Sequence, residues 1–137
     1  RDSTSAFDIV SENSLHMLMI GLCFGAPGYD NPLSNKESGY GRYDIRLEPS
    51  ADDAAGFSFI KPDVRPLITI ELKFVREDEF SAGITIDETL KAKAGEALAQ
   101  IEDKGYDSGP LPENAQGRLR WGIAVGRRHC AVTSARV

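Results

Sequence analysis

The sequence predicts an α/β fold in which helices flank a mixed central β-sheet. Apolar residues recur at helical spacing in two segments, whereas β-branched and aromatic residues form shorter runs bounded by glycine and proline. The predicted helices cover 7–24 and 85–105, and the predicted strands cover 40–48, 66–75, 120–125 and 130–132. The resulting order, α-β-β-α-β-β, fits a single domain for a chain of 137 residues.

The first helix is predicted to be largely buried and to end near Gly25, because apolar residues cover most of its circumference. Glu12 and His16 are four residues apart and therefore share one face of this helix. One interpretation is a solvent-facing pair in which Glu12 favours the helix dipole. The other is a contribution to a functional site. Residues 25–39, dense in glycine, proline and asparagine, are predicted to form a loop.

Polar residues interrupt the two strands that follow. Glu71 and Lys73 are two residues apart, so they share one face of a strand while Leu72 points to the other. A half-exposed strand with a surface ion pair would explain the two charges alone. Asp44 occupies the same relative place in the preceding strand. Two carboxylates and an ammonium on neighbouring strands can together hold a hard cation such as Mg²⁺ with a phosphate beside it.

The second helix has a capping box formed by Thr85 and Glu88 and is predicted to end at Gly105. Taken alone, its Gln100 is an amide on the helix surface. Beyond a loop at 107–117, the segment 126–129 is predicted to form a hairpin turn between the last two strands.

Composition sets further expectations. Cys23 and Cys130 lack metal-ligand spacing and are predicted to be reduced core residues of a cytoplasmic protein, and no zinc site is expected. No run approaches the roughly 20 apolar residues of a membrane span. The chain begins with Arg1, which suggests a fragment of a longer protein.

The net charge is −5, yet five arginines and no acid follow residue 117. They form either a solvated face or a phosphate-contacting surface. These arginines are Arg118, Arg120, Arg127, Arg128 and Arg136.

Several of these residues carry a family resemblance. Asp44 followed by Glu71-Leu72-Lys73 resembles the D…(D/E)-x-K signature of the PD-(D/E)XK nuclease superfamily. The block 34–45, Ser-Asn-Lys-Glu-Ser-Gly-Tyr-Gly-Arg-Tyr-Asp-Ile, resembles the domain of this superfamily that commonly follows an AAA-ATPase-like domain. Glu12, Asn13 and His16 match the E-N-x-x-H start of that family's first helix, and segment 100–106 resembles its Gln/Tyr motif. Trp121-Gly-Ile-Ala-Val resembles its last core strand.

The resemblance implies a restriction-endonuclease-like core and a metal-dependent nuclease that hydrolyses phosphodiester bonds, with DNA as the expected substrate. Mg²⁺ or Mn²⁺ would be held by Asp44, Glu71, the Leu72 backbone carbonyl and Glu12. Lys73 and Gln100 would complete the catalytic set, with Gln100 binding a phosphate or holding Lys73. His16 would support a neighbouring site residue or have a structural role. A fused or associated AAA-ATPase-like domain is the implied partner, and a delivered toxin domain is also compatible. The alternative is a degenerate nuclease fold that binds nucleic acid or a protein without cutting.

Overall fold

The computed structural model describes residues 12–35, 43–50 and 65–137. It confirms the predicted α/β class, with a mixed sheet and two helices. Residues 51–64, between the first two predicted strands, and residues 36–42 of the block 34–45 lie outside the described residues. The elements are helices α1 (Glu12–Cys23) and α2 (Ile86–Asp103) and strands β1 (Leu33–Asn35), β2 (Tyr43–Leu47), β3 (Leu67–Phe74), β4 (Arg118–Gly126) and β5 (His129–Arg136), with a short 3-10 turn at Glu77–Glu79.

The five strands of the described residues lie side by side in chain order. Strands β3 and β4 are parallel and are connected through α2, whereas the other neighbouring pairs are antiparallel. A parallel pair needs a long crossover, which α2 supplies here. The sheet is therefore mixed, and β3 lies at its centre.

The hydrophobic core occupies both faces of the sheet. On one face, Met19, Ile20 and Cys23 of α1 pack against a buried cluster. That cluster comprises Ile45, Leu47, Ile70, Leu72, Ile123 and Val125. On the other face, α2 packs into a second cluster of Val75, Leu90, Ala94, Ala124 and Ala131. The sheet is thus sandwiched between the two helices, and alternate strand residues face each one.

Helix α1 differs from its prediction. Residues 7–11 of the predicted helix lie outside the described part of the chain. Within the described part, Met17, Leu18 and Leu22 are each more than half exposed, so the prediction of a largely buried helix was wrong. A helix that covers one layer of a sheet needs only one apolar stripe, and Met17, Leu18 and Leu22 lie outside that stripe.

Two local predictions were also wrong. Strand β1 lies inside the segment predicted to be a loop, because three residues are too short to show the alternation typical of a strand. The observed order is therefore α-β-β-β-α-β-β. Cys130 is exposed on β5 rather than buried in the core, although both cysteines are free thiols as predicted.

The prediction for α2 is confirmed in detail. Thr85 is the N-cap, and its hydroxyl oxygen accepts a hydrogen bond from the backbone N–H of Glu88 at 3.0 Å. The helix ends at Asp103, and Gly105 follows with a φ of 64°, a conformation that favours glycine. This helix carries Gln100 and covers the face of the sheet that bears Glu71.

Candidate functional site

Glu71 lies at the centre of the candidate site. Its neighbours Ile70 and Leu72 belong to the cluster beneath α1, so alternation directs Glu71 to the face beneath α2. The Glu71 side chain has no solvent exposure. A carboxylate removed from water is costly unless positive charge or hydrogen-bond donors compensate it. A carboxylate at this position therefore needs compensating polar groups or positive charge around it.

Asp44 is directly opposite Glu71. The antiparallel register of β2 and β3 pairs these two residues, as the sequence predicted for adjacent strands. Directly opposed residues have Cα atoms about 4.5–5.5 Å apart and direct their side chains to the same face. The side chain of Asp44 lies outside the described part of the structure. The register nevertheless brings the two predicted carboxylate positions together.

Lys73 reaches from β3 towards α2. Its Nζ lies 3.8 Å from Oε1 of Glu96, and the lysine side chain is only 13% exposed. The other Glu96 oxygen lies 3.6 Å from Nζ of Lys93, which in turn lies 3.2 Å from a carboxylate oxygen of Glu79. Lys73 is thus held at the edge of a charge network that extends from the buried strand to the surface of α2.

A glycine brings α2 close to this part of the sheet. Gly122 on β4 is paired with Glu71 in the parallel register. A Cβ atom at this position would lie 2.2 Å from the carbonyl oxygen of Ala94 and 2.7 Å from the backbone nitrogen of Leu98. Any larger residue would collide with the backbone of the helix. Gly122 therefore permits the close approach of α2 that covers the sheet beside Glu71.

Sequence reasoning missed Glu96, the helix residue that contacts Lys73. A signal was present, because Glu96 precedes Gln100 by four residues and follows Lys93 by three, so the three share one side of α2. Gln100 is half-buried on that side, which does not fit a simple surface amide. These residues bring amide, carboxylate and ammonium groups to the side of α2 near Lys73.

The other predicted metal ligands are Glu12 and the backbone carbonyl of Leu72. Glu12 is the first residue of α1, but its side chain and that of His16 lie outside the described part of the structure. The Leu72 side chain belongs to the core beneath α1, so only its backbone could serve the site. Among the described residues, no group of three or more His, Cys, Asp or Glu side chains is arranged to hold a metal ion. The side chains of Asp44 and Glu12 are not among these described groups.

A row of polar residues lies next to the Asp44–Glu71 pair on the same face. Arg46 on β2 and Arg120 on β4 are the register partners of Thr69 on β3. Each arginine lies two residues along its strand from the partner of Glu71, which is Asp44 on β2 and Gly122 on β4. The Thr69 hydroxyl is fully buried and has no hydrogen-bond partner among the described residues. Arg46 donates to the carbonyl of Tyr106, just beyond α2. The face beneath α2 is therefore polar over two successive rows of the sheet.

Arg120 forms a buried ion pair. Its Nε and Nη2 donate to the two carboxylate oxygens of Asp107 at 2.7 and 3.1 Å, and Asp107 is 4% exposed. These hydrogen bonds raise the pKa of Arg120. Arg118 donates to the backbone carbonyls of Asp107 and Gly109. The two arginines therefore fasten the loop after α2 to β4.

The arginines near the C-terminus were predicted to form either a solvated face or a phosphate-contacting surface. Neither interpretation describes Arg118 and Arg120, which hold a loop. Arg127 donates to the Glu77 carboxylate and lies 4.3 Å above the centre of the Phe80 ring. Arg136 donates to the backbone carbonyl of Gln116 at 3.3 Å. At least four of the five arginines thus have contacts within the chain that use their hydrogen-bonding groups.

Comparisons with protein-family models, curated proteins and solved structures give no match for this chain. The helices of the described residues also include none that combines the length and the apolar composition needed to cross a membrane. The resemblance to nucleases therefore rests on the sequence motifs.

Proposed function

We propose that this chain is a divalent-metal-dependent nuclease that hydrolyses phosphodiester bonds, with DNA as the substrate. The observation that carries the proposal is the register of β2 and β3, which sets Asp44 opposite the fully buried Glu71. Lys73 follows on the same face of β3 with only 13% of its side chain exposed. This is the residue pattern that the D…(D/E)-x-K resemblance implies, on two adjacent strands of one sheet.

The donor groups fit a hard cation. Carboxylate and carbonyl oxygens are the ligands that Mg²⁺ and Mn²⁺ prefer. In this proposal Asp44, Glu71, the backbone carbonyl of Leu72 and Glu12 hold the ion. When bound, such an ion activates a water molecule for attack and polarises a phosphoryl oxygen.

The chain's own residues supply the remaining functions. The Lys73 ammonium orients the attacking water or stabilises the negative charge that develops on the phosphate in the transition state. Glu96, at 3.8 Å from Lys73, restrains the position of that ammonium. Gln100, one helical turn further along α2, offers an amide that can donate to a phosphate oxygen.

Two observations favour a second function, a nuclease-like module that binds a partner without cutting. Glu71 has no exposed surface, and several nearby arginines are engaged in contacts within the chain. A substrate phosphate needs access to the carboxylates and positive charge beside them. The two functions differ in one measurable property, cleavage in the presence of metal.

Incubation with supercoiled plasmid tests the proposal. We expect nicking with Mg²⁺ or Mn²⁺ and none with a chelator. Glu71→Ala should abolish both nicking and divalent-ion binding measured by calorimetry, because it removes a carboxylate ligand. Lys73→Met retains the bulk of the side chain but loses transition-state stabilisation of about 3 kcal/mol, which corresponds to a roughly hundredfold slower reaction.

Glu102→Ala is the matched control, because it removes an exposed carboxylate of α2 and should cleave like the wild type. Binding to a short duplex at fixed salt, with Ca²⁺ in place of Mg²⁺, separates binding from chemistry. Lys73→Met should bind within about threefold of the wild type if Lys73 acts in the transition state. Unchanged metal binding by Glu71→Ala would remove the proposed site. A wild-type protein that binds DNA and never cuts it with either metal would establish the binding module instead.

A further inference from the structure

Four charged side chains of alternating sign connect Lys73 with the turn that follows β3. Glu96 on α2 lies 3.8 Å from the Lys73 ammonium, and its second oxygen lies 3.6 Å from the ammonium of Lys93. Lys93 also lies 3.2 Å from a carboxylate oxygen of Glu79 in the 3-10 turn. The ammonium of Lys93 therefore lies between two carboxylates, and one of them contacts Lys73.

The Glu79 end of this chain of charges is anchored to the backbone. The other oxygen of the Glu79 carboxylate accepts a hydrogen bond from the backbone N–H of Arg76 at 2.8 Å. The backbone N–H of Glu79 in turn donates to the carbonyl of Arg76 at 2.9 Å. These reciprocal hydrogen bonds hold the carboxylate against its own turn, so Lys93 has one partner whose position is fixed.

Glu96, in contrast, combines a fixed backbone with an exposed side chain. Ala94 and Ala97, which follow Lys93 and Glu96 in sequence, are 1% and 0% exposed, so this part of α2 is fixed on the sheet. The Glu96 side chain is 52% exposed. An exposed side chain loses conformational freedom when it holds a single partner, and this loss offsets much of the gain from the ion pair. Lys93 restrains Glu96 from the oxygen that does not face Lys73.

The surroundings of Lys93 favour its charged form. Desolvation by partial burial opposes that form, but hydrogen bonding to Glu79 and the charges of Glu96 and Glu79 raise the pKa of Lys93. Without this ammonium, two negative charges would face each other across the space that it occupies. Glu96 is the more exposed of the two carboxylates and could turn towards solvent, which would release Lys73.

We propose that Lys93, acting through Glu96, positions the Lys73 ammonium for phosphodiester hydrolysis. This inference rests on the proposed nuclease function, in which Lys73 acts on the attacking water or on the charge of the transition state. Stabilisation of a developing charge depends on groups that are already in place, so a displaced ammonium contributes less. Lys93 lies outside the D…(D/E)-x-K pattern and acts only through another residue, which makes it a positioning residue.

NMR of lysine side chains labelled with ¹³C at Cε tests the positioning without metal, substrate or cleavage. Lys93→Met should lower the order parameter of the Lys73 Cε group by about a quarter or more. Glu96→Gln breaks the same link at the other residue and should have the same effect. Lys93→Arg retains the charge and should retain the restricted motion. Lys91→Met is the matched control, because it removes the same group from an exposed ion pair of α2 and should leave Lys73 unchanged.

Cleavage kinetics test the consequence for the reaction. With Mg²⁺ or Mn²⁺, Lys93→Met should lower kcat about fivefold, the size expected for a partly exposed ion-pair link. KM, and duplex affinity in Ca²⁺, should stay within about twofold of the wild type. Lys93→Arg should recover most of the rate, and Lys91→Met should cleave like the wild type. In the Lys73→Met background, Lys93→Met should cost less than about 1.5-fold, because the group that it positions is absent.

Three results would overturn the inference. These are unchanged motion of Lys73 in Lys93→Met, equal kinetic losses for Lys93→Met and Lys91→Met, and an equal loss from Lys93→Met with and without Lys73. A wild-type protein that never cuts with either metal would overturn the nuclease function and the catalytic role of Lys93 with it. The NMR result distinguishes that failure from a failure of the contacts that join Lys93 to Lys73.

Discussion

Glu71, Lys73 and Gly122 define the candidate site at the scale of single residues. Glu71 and Lys73 are charged residues in an otherwise apolar strand. Gly122 on β4 has no side chain, although its register partner on β3 is the buried Glu71. The missing side chain has a steric reason, because the backbone of α2 occupies the space that a Cβ atom would need. The position of the helix above Glu71 therefore depends on one glycine.

Gly122→Ala should destabilise the protein. The new methyl group would overlap the Ala94 carbonyl and the Leu98 nitrogen, and neither backbone atom can move without shifting the helix. We expect a loss of about 3 kcal/mol in the free energy of unfolding, at the upper end of the usual cost of overpacking. Urea denaturation followed by circular dichroism measures it.

Gly95→Ala is the matched control, since it adds the same methyl group on the opposite side of the interface to open space. It should stabilise the protein by about 0.5–1 kcal/mol through helix propensity. Equal stability of the Gly122→Ala variant and the wild type would show that α2 can move away from Glu71 at little cost.

Much of this residue-scale arrangement could be predicted from the sequence. Alternation along β3 was sufficient to put Glu71 and Lys73 on one face, and the strand assignments were sufficient to make Asp44 a neighbour of Glu71. The contact between Lys73 and Glu96 was not predictable in the same way. It depends on how closely and at what angle α2 lies on the sheet, and local periodicity does not determine either quantity.

At the scale of elements, the turn between β4 and β5 combines a confirmed prediction with an unexpected conformation. Its two central residues, Arg127 and Arg128, have φ values of 47° and 62°. Two-residue hairpin turns with positive φ at both positions favour glycine, asparagine and aspartate. Arg127 has compensating contacts with Glu77 and with the ring of Phe80. Those contacts fix the turn against the segment that follows β3.

Arg128→Gly should stabilise this hairpin. Glycine adopts positive φ without the steric cost that a Cβ atom imposes, which is about 1 kcal/mol per residue. We expect an increase in the free energy of unfolding of this size, measured by thermal and urea denaturation. Arg128→Ala controls for the loss of the arginine side chain, because alanine retains the Cβ atom. An equal response of the two variants would show that backbone conformation does not limit stability at this turn.

Elements with strong local signals were predicted well, whereas those that depend on their neighbours were not. The capping box of α2 and the glycine after it are encoded within a few residues, so both ends of the helix were predictable. Strand β1 consists of three residues and exists through its pairing with β2, a contact that a sequence pattern does not contain. The exposed side of α1 has the same explanation, since apolar composition does not state how much of a helix the sheet covers.

At the scale of the whole molecule, the structure shows where the charged side chains of the C-terminal segment make their contacts. The arginines after residue 117 were predicted to form either a solvated face or a phosphate-contacting surface. Their partners are distant in sequence: Glu77 is 50 residues from Arg127, and Asp107 is 13 residues from Arg120. Such pairs form only after the sheet and α2 are assembled. Much of the C-terminal charge therefore joins elements, and less of it is available to bind a polyanion.

The pair formed by Asp107 and Arg120 is the most buried of these links, and Asp107→Asn tests its importance. The substitution retains the shape of the side chain but turns an amide towards a guanidinium that then lacks its counter-charge. Removal of one partner from a buried ion pair typically costs about 3–5 kcal/mol, and we expect about 3 kcal/mol because Arg120 retains 15% exposure. Urea denaturation measures this change in the free energy of unfolding. Asp103→Asn is the control, because Asp103 is exposed at the end of α2, and it should change stability by less than about 0.5 kcal/mol. The double variant Asp107→Asn with Arg120→Gln should recover part of the loss, because the uncompensated charge is removed. A cost below about 1 kcal/mol for Asp107→Asn would instead mean that solvent screens the pair as it does at a surface, and would return Arg120 to the set of cations available to nucleic acid.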